Sequence, residues 1–570
     1  MIGNPPEFPD GHEPLLRLGR IVIQLDVWGY LRRREIVLPV VEFDRPAVHV
    51  ASVGGRNNLG AGANLLSDAS RLKIGTIHIQ DGRARVSSTE LGADFELTVS
   101  TRQDTGSEQN TITAQASGTY AEQPMAATLT AAGLAGLDGA SKSWPFELSL
   151  TNGPTRVAVK GALERPLSLS AAAVDLSLTG PDMALLTPLI STSLPVTPPY
   201  ELNGKLNYSE GRFHFTDITG RIGQSHLAGT FTVARGPERP ELTAELTSRS
   251  VDLRDIVDLL RGEPGPPDTP GQTPQQRERA AKVSREDLRN PRLLPDRPFN
   301  LPKLKAIDVH LSYRADHIKG PSMPLDNLSL RLDAVGGTIN LRPLSFGIGQ
   351  GRMTGEILLT PGAEENVQAR AEIRFERLDL ARLMQASGSY RGNGTLNGTA
   401  RIEGSGRSIA DILGQAEGAL TVSTTNGSLS KLLVDLAGLR LGSALLTSLG
   451  GKAETQVECF LADLTLHRGV LSTRTLLLET EEAVMEGRGA VNLRRERIEL
   501  RIRTESKHLT LGVVPSPLLI SGTLKAASAG PERSGGSGGG LGDVLAALPT
   551  IQLGVGDDPR CERLVRRRRR

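Results

Sequence analysis

The stretch RIELRIR, residues 497–503, decides the fold class of this chain. Ile498, Leu500 and Ile502 alternate strictly with charged side chains along it. Successive side chains of a β-strand point to opposite faces, so this period of two predicts a strand with one apolar face and one hydrated face. Such strands are typical of antiparallel meanders rather than of parallel sheets that are buried on both sides.

The same alternation recurs along the whole chain. In NLSLRLDA, residues 327–334, Leu328, Leu330 and Leu332 share one face, and polar side chains occupy the other. Further examples are IVIQLDV (21–27), FELTV (95–99), FELSL (146–150) and LTAEL (242–246). We therefore expect a mainly β protein in which antiparallel strands follow one another along the chain.

A longer unit also repeats. It has a glycine turn, two strands, a polar turn and then a strand that carries a glycine. Its copies cover residues 209–233, 334–360 and 466–493, and their strand glycines are Gly229, Gly355 and Gly489. Repeated meanders of this kind lengthen a sheet instead of making separate cores. Short helices are predicted between the strands, at 181–190, 251–262, 378–388 and 428–450.

Composition excludes several classes of protein. The 66 Lys and Arg nearly balance the 64 Asp and Glu, so no overall basic field favours nucleic acid. Aromatic residues make up only 3%, so the apolar surface is aliphatic. No run of 18 apolar residues predicts a membrane-spanning helix, and residues 1–16 lack the features of a signal peptide.

The two cysteines, Cys459 and Cys561, form no CxxC pair and no cluster with histidine, which argues against a zinc site. In an oxidising compartment they can pair. In a reducing compartment they remain a small buried residue and an exposed thiol near the end of the chain. The residues themselves leave both alternatives open.

Motifs of catalysis are absent from the sequence. The nine histidines are scattered, and neither a GxSxG elbow nor a GxxxxGK[ST] phosphate loop occurs. The glycines of 347–355 lie between strands with no helix after them, so they indicate turns and bulges. We expect a protein that is not an enzyme, with no catalytic residues, no cofactor and no metal. A hydrolase would need a perturbed acid–base pair hidden in a pocket.

The apolar strand faces have two physical explanations. In a closed β-sandwich, two sheets bury their apolar faces on each other. In an elongated, bent sheet, a concave apolar face forms an open groove, and a soluble protein exposes such a surface only for an apolar occupant. Acyl chains fit an aliphatic lining. The groove residues predicted on this basis are Leu328, Leu330, Leu332, Ile498, Leu500 and Ile502.

The chain divides into five predicted segments. They are an N-terminal β region (1–125), a middle β region with short helices (126–261), a Pro-rich and charged linker (262–297), a C-terminal β region (298–526) and a Gly/Ser spacer with an Arg-rich tail (527–570). The run RRRRR at 566–570 is interpreted as a solvated, disordered tail, with contact to anionic lipid headgroups as the alternative.

Several motifs resemble the AsmA family of Gram-negative envelope proteins. They begin with RLGRIVIQLDVWGYLRRREIVLPVVEFDRPAVHV (17–50), GGRNNLG (54–60) and LKIGTIHIQDGRARV (72–86). The residues that match are Asp44, Arg45, Pro46, Gly55, Asn58 and the turn Gln80-Asp81-Gly82, while Leu59 stands where an aromatic residue is expected. The similarity continues through TPPYELNGKL (197–206) to the region around Cys459, so it covers nearly the whole chain.

The resemblance implies a non-enzymatic periplasmic protein anchored in the inner membrane by one N-terminal helix, which this sequence lacks. It implies a taco-like β-groove, similar to that of chorein-type bridge proteins, which carries phospholipid toward the outer membrane. The implied partners are phospholipid acyl chains, the inner membrane and outer-membrane components, with no nucleic acid. It also implies the disulfide Cys459–Cys561. The alternative function is a scaffold for outer-membrane protein assembly, acting through exposed sheet edges.

Overall fold

A computed structural model gives the fold. The structure describes residues 3–4, 8, 13–33, 36–53, 56–58, 72–89, 92–103, 110–121, 123–133, 143–164, 171–186, 196–209, 211–255, 274–289, 292–296, 298–299, 305–320, 325–363, 366–384, 393–424, 427–430, 454–507, 510–512, 517–531, 550–552 and 559–569. It forms two compact units. The first comprises residues 1–235 and 254–284, and the second comprises 236–253 and 285–570.

The first unit contains sixteen strands among its described residues. They are β1 Leu16–Arg17, β2 Arg20–Ile23, β3 Ile36–Asp44, β4 Ala47–Val53, β5 Arg56–Asn57, β6 Leu72–Gln80, β7 Gly82–Ser88, β8 Ala93–Gln103, β9 Asn110–Tyr120, β10 Gln123–Ala132, β11 Trp144–Asn152, β12 Thr155–Glu164, β13 Ala171–Gly180, β14 Tyr200–Ser209, β15 Arg212–Ile222 and β16 Ser225–Arg235.

The described part of the second unit continues with seventeen strands. They are β17 Pro240–Asp252, β18 Asp308–Lys319, β19 Leu325–Val335, β20 Thr338–Ile348, β21 Gly351–Pro361, β22 Val367–Asp379, β23 Thr395–Gly406, β24 Glu417–Thr424, β25 Gly427–Ser430, β26 Glu454–His467, β27 Val470–Thr480, β28 Ala483–Asn492, β29 Arg497–Ser506, β30 Thr510–Gly512, β31 Leu518–Thr523, β32 Ala526–Pro531 and β33 Thr550–Gln552.

The described helices are short. They are α1 Val27–Arg33, α2 Pro274–Arg289, α3 Leu380–Met384, α4 Ile409–Gly414 and α5 Arg560–Arg569, with a 3-10 turn at Met183–Leu186. Ser408 caps α4, because its hydroxyl accepts a 3.1 Å hydrogen bond from the backbone N–H of Asp411. No helix among the described residues combines the length and the apolar composition that crossing a membrane requires.

Strands lie in the sheet in chain order. In the first unit β7 to β16 are each antiparallel to the next, and in the second unit β18 to β24 and then β26 to β29 follow the same rule. Strand β31 pairs with β29 and β32 with β31, which extends the open sheet. The predicted mainly β fold, made of antiparallel meanders with short helices between them, is confirmed.

Three parallel pairs depart from the predicted antiparallel pattern. Strand β3 pairs with β6 in a separate three-stranded sheet, and β4 pairs with β7 in the main sheet of the first unit. In the second unit β17 pairs with β18, whose connection covers residues 253–307. Parallel neighbours need a long crossover, and the local alternation of side chains does not reveal one.

Each repeated unit folds as a hairpin in which the first strand carries a bulge. The structure corrects the predicted division into two strands before the polar turn, because β15, β20 and β27 are each continuous. Their registers shift after Phe215, Leu341 and Ser472, respectively. The strand glycine of each repeat, at position 229, 355 or 489, lies opposite or beside the shift. Bulges bend a strand and increase its twist, so each repeat introduces a local bend.

Two of the predicted helices are confirmed within the described residues, as the 3-10 helix Met183–Leu186 and the α-helix Leu380–Met384, and residues 187–190 and 385–388 of these predictions lie outside the described residues. The predicted helix at 251–262 begins as the end of β17, and its residues 256–262 lie outside the described residues. The predicted helix at 428–450 begins as part of β25, and its residues 431–450 also lie outside them. Within the predicted linker, residues 274–289 form α2, whose Ala280 is buried.

Candidate functional site

The six predicted lining residues lie on two strands of the second unit. Leu328, Leu330 and Leu332 belong to β19, and the other three, Ile498, Leu500 and Ile502, belong to β29. Leu328 is buried, with 9% of its surface exposed, and the other five are half-buried. A closed sandwich core buries large aliphatic side chains almost completely, so partial exposure at five of six positions favours an open face.

The register of the sheet places both groups on the same face. Residues that are directly opposite on paired strands have side chains on one side of the sheet. From Leu332, a continuous chain of opposite partners reaches Ile498. Its members are Leu332, Leu341, Ile357, Ala371, Ile402, Gly418, Leu466, Leu471, Val491 and Ile498. Nine successive pairings therefore give one apolar row across ten strands.

A second row runs beside the first. It contains Leu330, Leu344, Gly355, Ile373, Ala400, Leu420 and Leu464. Every member of both rows is aliphatic or glycine, and the large members other than Leu466 are half-buried. We name this surface, the two rows together with the six predicted residues, the apolar face. This face is continuous, aliphatic and without charge.

Two of the six predicted residues also serve packing. Ile502 packs against a small cluster of Ala483, Met485 and Leu518. Leu328 is opposite Ala315, which is 2% exposed. The other four members of the predicted set, Leu330, Leu332, Ile498 and Leu500, are half-buried and lie outside that cluster.

The first unit shows the same arrangement. A chain of opposite partners crosses β8 to β16 through Leu97, Ala116, Ala127, Leu150, Val157, Leu178, Leu202, Gly220 and Leu227. All of them are half-buried. In each unit, apolar residues on successive strands thus line up as a half-buried row. The residues predicted from the sequence to line a groove all lie in the second unit.

The opposite face of the second unit is charged and hydrated. Cross-strand ion pairs join Arg370 Nε to Glu403 Oε1 at 2.9 Å and Arg342 Nε to Glu356 Oε2 at 3.1 Å. Exposed pairs of this kind contribute about 0–1 kcal/mol each, so their main effect is to keep this face in water. A depression of about 270 Å³ on this side has charged residues such as Arg342 and Glu372 in its wall.

Part of the charged face is covered by α5. Cys561 forms a disulfide with Cys459, at a Cα–Cα distance of 5.9 Å. Cys561 and Val565, one helical turn apart, pack with Leu461, Leu477 and Val484 on the side of the sheet opposite the apolar face. The structure therefore contains the implied disulfide. It also corrects the interpretation of 566–570 as a disordered tail, since residues 560–569 form a helix that this contact holds in place.

Sequence reasoning missed Glu479, which is 2% exposed and lies beneath this helix. Its carboxylate accepts a 3.0 Å hydrogen bond from the backbone N–H of Cys561. The carboxylate thus satisfies one of the free N–H groups at the start of α5. The alternation of side chains along β27 could not predict this buried carboxylate, because its hydrogen-bond partner, Cys561, lies 82 residues away in the chain.

Histidine side chains lie next to carboxylates at several places among the described residues. His310 Nδ1 lies 2.7 Å from Asp333, and His467 Nδ1 lies 2.9 Å from Glu417. Both are contacts between side chains of adjacent strands, half-buried in the first case and exposed in the second. The hydrogen bond from His467 lowers the pKa of the Glu417 carboxyl. No group of three His, Cys, Asp or Glu side chains suited to a metal ion occurs in the described ranges.

A separate exposed apolar patch lies near the start of the first unit. Half of the strongly exposed large apolar side chains of the described chain fall within residues 21–31. Trp28 is 76% exposed and Leu31 is 63% exposed, both on α1. Ile21 and Ile23 lie on β2, an edge strand of the three-stranded sheet. Groups of exposed apolar side chains often mark a contact with a partner or a membrane.

The matched motif residues near the start have structural roles. Asn58 is fully buried, and its side chain bonds two backbone groups of β4, accepting from Ala51 N at 2.9 Å and donating to His49 O at 2.6 Å. Arg45 and Asp81 occupy turns at which strands leave one sheet for another. These motif positions set the path of the first strands.

Comparison with known proteins places the chain in a family. A model of the AsmA family matches residues 77–476. The AsmA family protein YhjG of Escherichia coli (strain K12) is 27% identical over 583 residues, covering 97% of this chain and 84% of that protein. No solved structure matches. Since the family model covers more than half of the sequence, the chain belongs to the AsmA family.

Proposed function

We propose that the apolar face binds the acyl chains of phospholipids and conducts them along the sheet, between the inner and outer membranes, without catalysis. The observation that carries this proposal is the pair of unbroken aliphatic rows, one across ten strands and one across seven, whose large side chains other than Leu466 are half-buried. Membership of the AsmA family supports an envelope-associated function in outer-membrane biogenesis. We further propose that the protein acts in the periplasm as part of an inner-membrane-anchored assembly.

The free energy of moving a lipid favours a continuous apolar surface over a single deep pocket. Exposing a methylene to water costs about 0.8 kcal/mol, so a lipid with ~30 methylenes loses more than 20 kcal/mol in leaving a membrane. An apolar surface that continues from strand to strand offsets much of this cost at every position. A single deep pocket would hold the lipid in one place, whereas uniform rows let it slide with small changes in free energy.

The test is extraction of lipid from the purified protein followed by mass spectrometry. The test variant carries Leu330→Asp and Leu500→Asp, which place two charges on the apolar face. The control carries Ser329→Asp and Ser521→Asp, which add the same charge on the opposite face of the same region, since Ser521 is opposite Glu499. Circular dichroism checks that both variants are folded.

We expect phospholipid in the parent and in the control, and at least a fivefold lower amount in the test variant. A folded parent without lipid would contradict the proposal. Equal lipid in the two variants would contradict the assignment of these leucines to the binding surface.

The second candidate function is a scaffold for the assembly of outer-membrane proteins. The exposed apolar patch of residues 21–31 favours it, because edge strands and uncovered apolar side chains bind protein partners. Crosslinking in cells followed by purification tests it with the variant Trp28→Ser, Leu31→Ser. Partners that disappear in this variant, together with a lipid-free parent, would favour the scaffold over the lipid conductor.

A further inference from the structure

Two turns of the first unit lie side by side where strands pass from one sheet to another. Strand β3 passes into β4 through Arg45, and β6 passes into β7 through Asp81. Strand β3 is parallel to β6 and β4 is parallel to β7, so the two turns are neighbours and form backbone hydrogen bonds with each other. Arg45 N donates to Gln80 O at 2.8 Å, and Arg83 N donates to Pro46 O at 2.8 Å.

The backbone at both turns is unusual. Arg45 has φ 48° and Asp81 has φ 49°, which is left-handed backbone for residues other than glycine. Such conformations cost about 1–2 kcal/mol and persist where the surroundings hold them. Gly82, next to Asp81, has no room for a side chain, because a Cβ there would lie 2.7 Å from Ile79 Cγ2 and 3.0 Å from the carbonyl oxygen of Val99. The chain is therefore closely packed at this turn.

These turns border a depression of about 880 Å³. Three arginines lie in its wall, which are Arg45, Arg83 and Arg102. Ser100 and Thr113, directly opposite each other on β8 and β9, add hydroxyl groups. Arg83 is opposite Thr98, and Thr98, Ser100 and Arg102 alternate along one face of β8, so these side chains share the hydrated side of the sheet.

The charges in this depression are unbalanced. Among the described residues of its wall, Asp81 is the one acid. Asp44 Oδ1 lies 3.4 Å from Arg45 Nε and partly neutralises the charge of that arginine. Among the described residues, neither Arg83 nor Arg102 has an ion-pair partner. Elsewhere in the same sheet basic side chains are paired across strands, as Arg85 is with Asp94 at 3.1 Å.

We propose that Arg45, Arg83 and Arg102 form a binding site for the phosphate group of a phosphate ester. A guanidinium group presents paired N–H donors that match two phosphate oxygens, and charge-assisted bonds of this type are strong. The hydroxyls of Ser100 and Thr113 supply further donors. The depression has room for a substituent on the phosphate, and Asp81 can accept a hydrogen bond from a hydroxyl or ammonium group on it.

This site is separate from the apolar face of the second unit, so it stands whether or not that face carries lipid. Two sources supply the same chemistry, a phospholipid headgroup and a water-soluble phosphate ester. Titration calorimetry with three probes distinguishes them. The probes are glycerol 3-phosphate, inorganic phosphate and a short-chain phosphatidylglycerol below its micelle concentration.

The test variant is Arg83→Gln, Arg102→Gln. The control is Arg156→Gln, Arg212→Gln, which removes two other exposed arginines of the same unit and the same total charge. We expect the parent to bind at least one ester more tightly than inorganic phosphate, and the test variant to bind it at least tenfold more weakly. The control should match the parent within about twofold, with circular dichroism unchanged in both variants.

Binding of one ester alone supports the site and identifies its source, and binding of both supports a site that recognises the phosphate ester in either form. Absence of ester binding by the parent would overturn the proposal. Equal weakening in the test variant and the control would overturn it too, because the effect would then follow net charge alone.

Discussion

At the scale of single residues, the structure shows why position 489 requires glycine. Its φ is 154°, and a Cβ would lie 2.1 Å from the backbone oxygen of Glu499. The hydroxyl of Thr473 accepts from the N–H of Gly489 at 3.0 Å and lies 3.3 Å from its carbonyl oxygen. At the bulge in β27, the Thr473 hydroxyl thus replaces the backbone hydrogen-bond partner that Gly489 lacks on that strand.

We expect Gly489→Ala to lower the free energy of unfolding by about 1–3 kcal/mol, since backbone must move to admit the methyl group. The control is Gly530→Ala in β32, where nothing lies within 4 Å of the added Cβ. Urea unfolding followed by circular dichroism measures both. Equal stability of the two variants would contradict the close approach described at Gly489.

Glu496 is a second residue with a specific prediction. It is 4% exposed, and burial alone raises the pKa of its carboxyl. Hydrogen bonds from the backbone N–H of Leu293 and from Arg292 Nε, the latter at 3.0 Å, outweigh burial and lower that pKa below its usual value. The charged form is therefore favoured in the folded chain.

A carboxyl whose pKa is lower in the folded state stabilises the fold above the unfolded pKa of about 4.3 and loses this effect as the pH falls through the folded pKa. We expect Glu496→Gln to cost about 1–3 kcal/mol at neutral pH and progressively less below about pH 4. Urea unfolding of parent and variant at several pH values gives this difference. A difference that stays constant with pH would show that the charge of Glu496 is not involved.

At the scale of elements, α5 packs on the sheet although its amino-acid composition does not favour packing. A segment with seven arginines among residues 560–570 has little tendency to pack. The disulfide and the side chain of Val565 fix one side of it to β26–β28, and Glu479 holds its start. The exposed side still presents arginines such as Arg567 to water.

The disulfide joins residues 102 positions apart, so it restricts the unfolded chain strongly. In the chain-entropy model such a crosslink contributes up to roughly 4–5 kcal/mol. We expect a reducing agent to lower the urea midpoint of the parent and to speed hydrogen exchange in α5. The double variant Cys459→Ser, Cys561→Ser should be less stable than the oxidised parent and insensitive to the reducing agent. An effect of reductant on that variant would point to another cause.

Local patterns predicted elements well where their cause is local. Alternation in 327–334 and 497–503 gave β19 and β29, because a strand with one wet face needs no distant information. The common face of Leu332 and Ile498 depends on nine pairings and their bulges, which no short stretch contains. The crossover between β17 and β18 and the approach of Arg45, Arg83 and Arg102 depend in the same way on distant parts of the chain.

At the scale of the whole molecule, hairpins behave as exchangeable modules. Strands β20 and β21 form one repeat, and β19 and β22 on either side of it run in opposite directions. Removing two strands leaves β19 and β22 antiparallel and keeps their apolar side chains on one face. Removing one strand would require neighbours joined by a short loop to run parallel, which the geometry forbids.

We therefore expect deletion of residues 338–361 to give a folded protein with a strand content close to that of the parent. Deletion of residues 351–361 alone should abolish cooperative unfolding in the second unit. Circular dichroism and limited proteolysis compare the two deletions. Equal disruption by both would contradict the modular description and would mean that strand identity matters more than strand number.

The chain order of the strands also determines how the protein can fold. Strands β8–β16, β19–β24 and β27–β29 each pair with the strand before them, so most loops to be closed are short and their entropic cost is small. A growing chain can therefore complete each hairpin as it emerges and use it as the template for the next one. The parallel pair β17–β18 is an exception, since β18 must wait for the residues of 253–307 to be made. Folding in the second unit is thus expected to pause at that point, with the edge of β17 temporarily open.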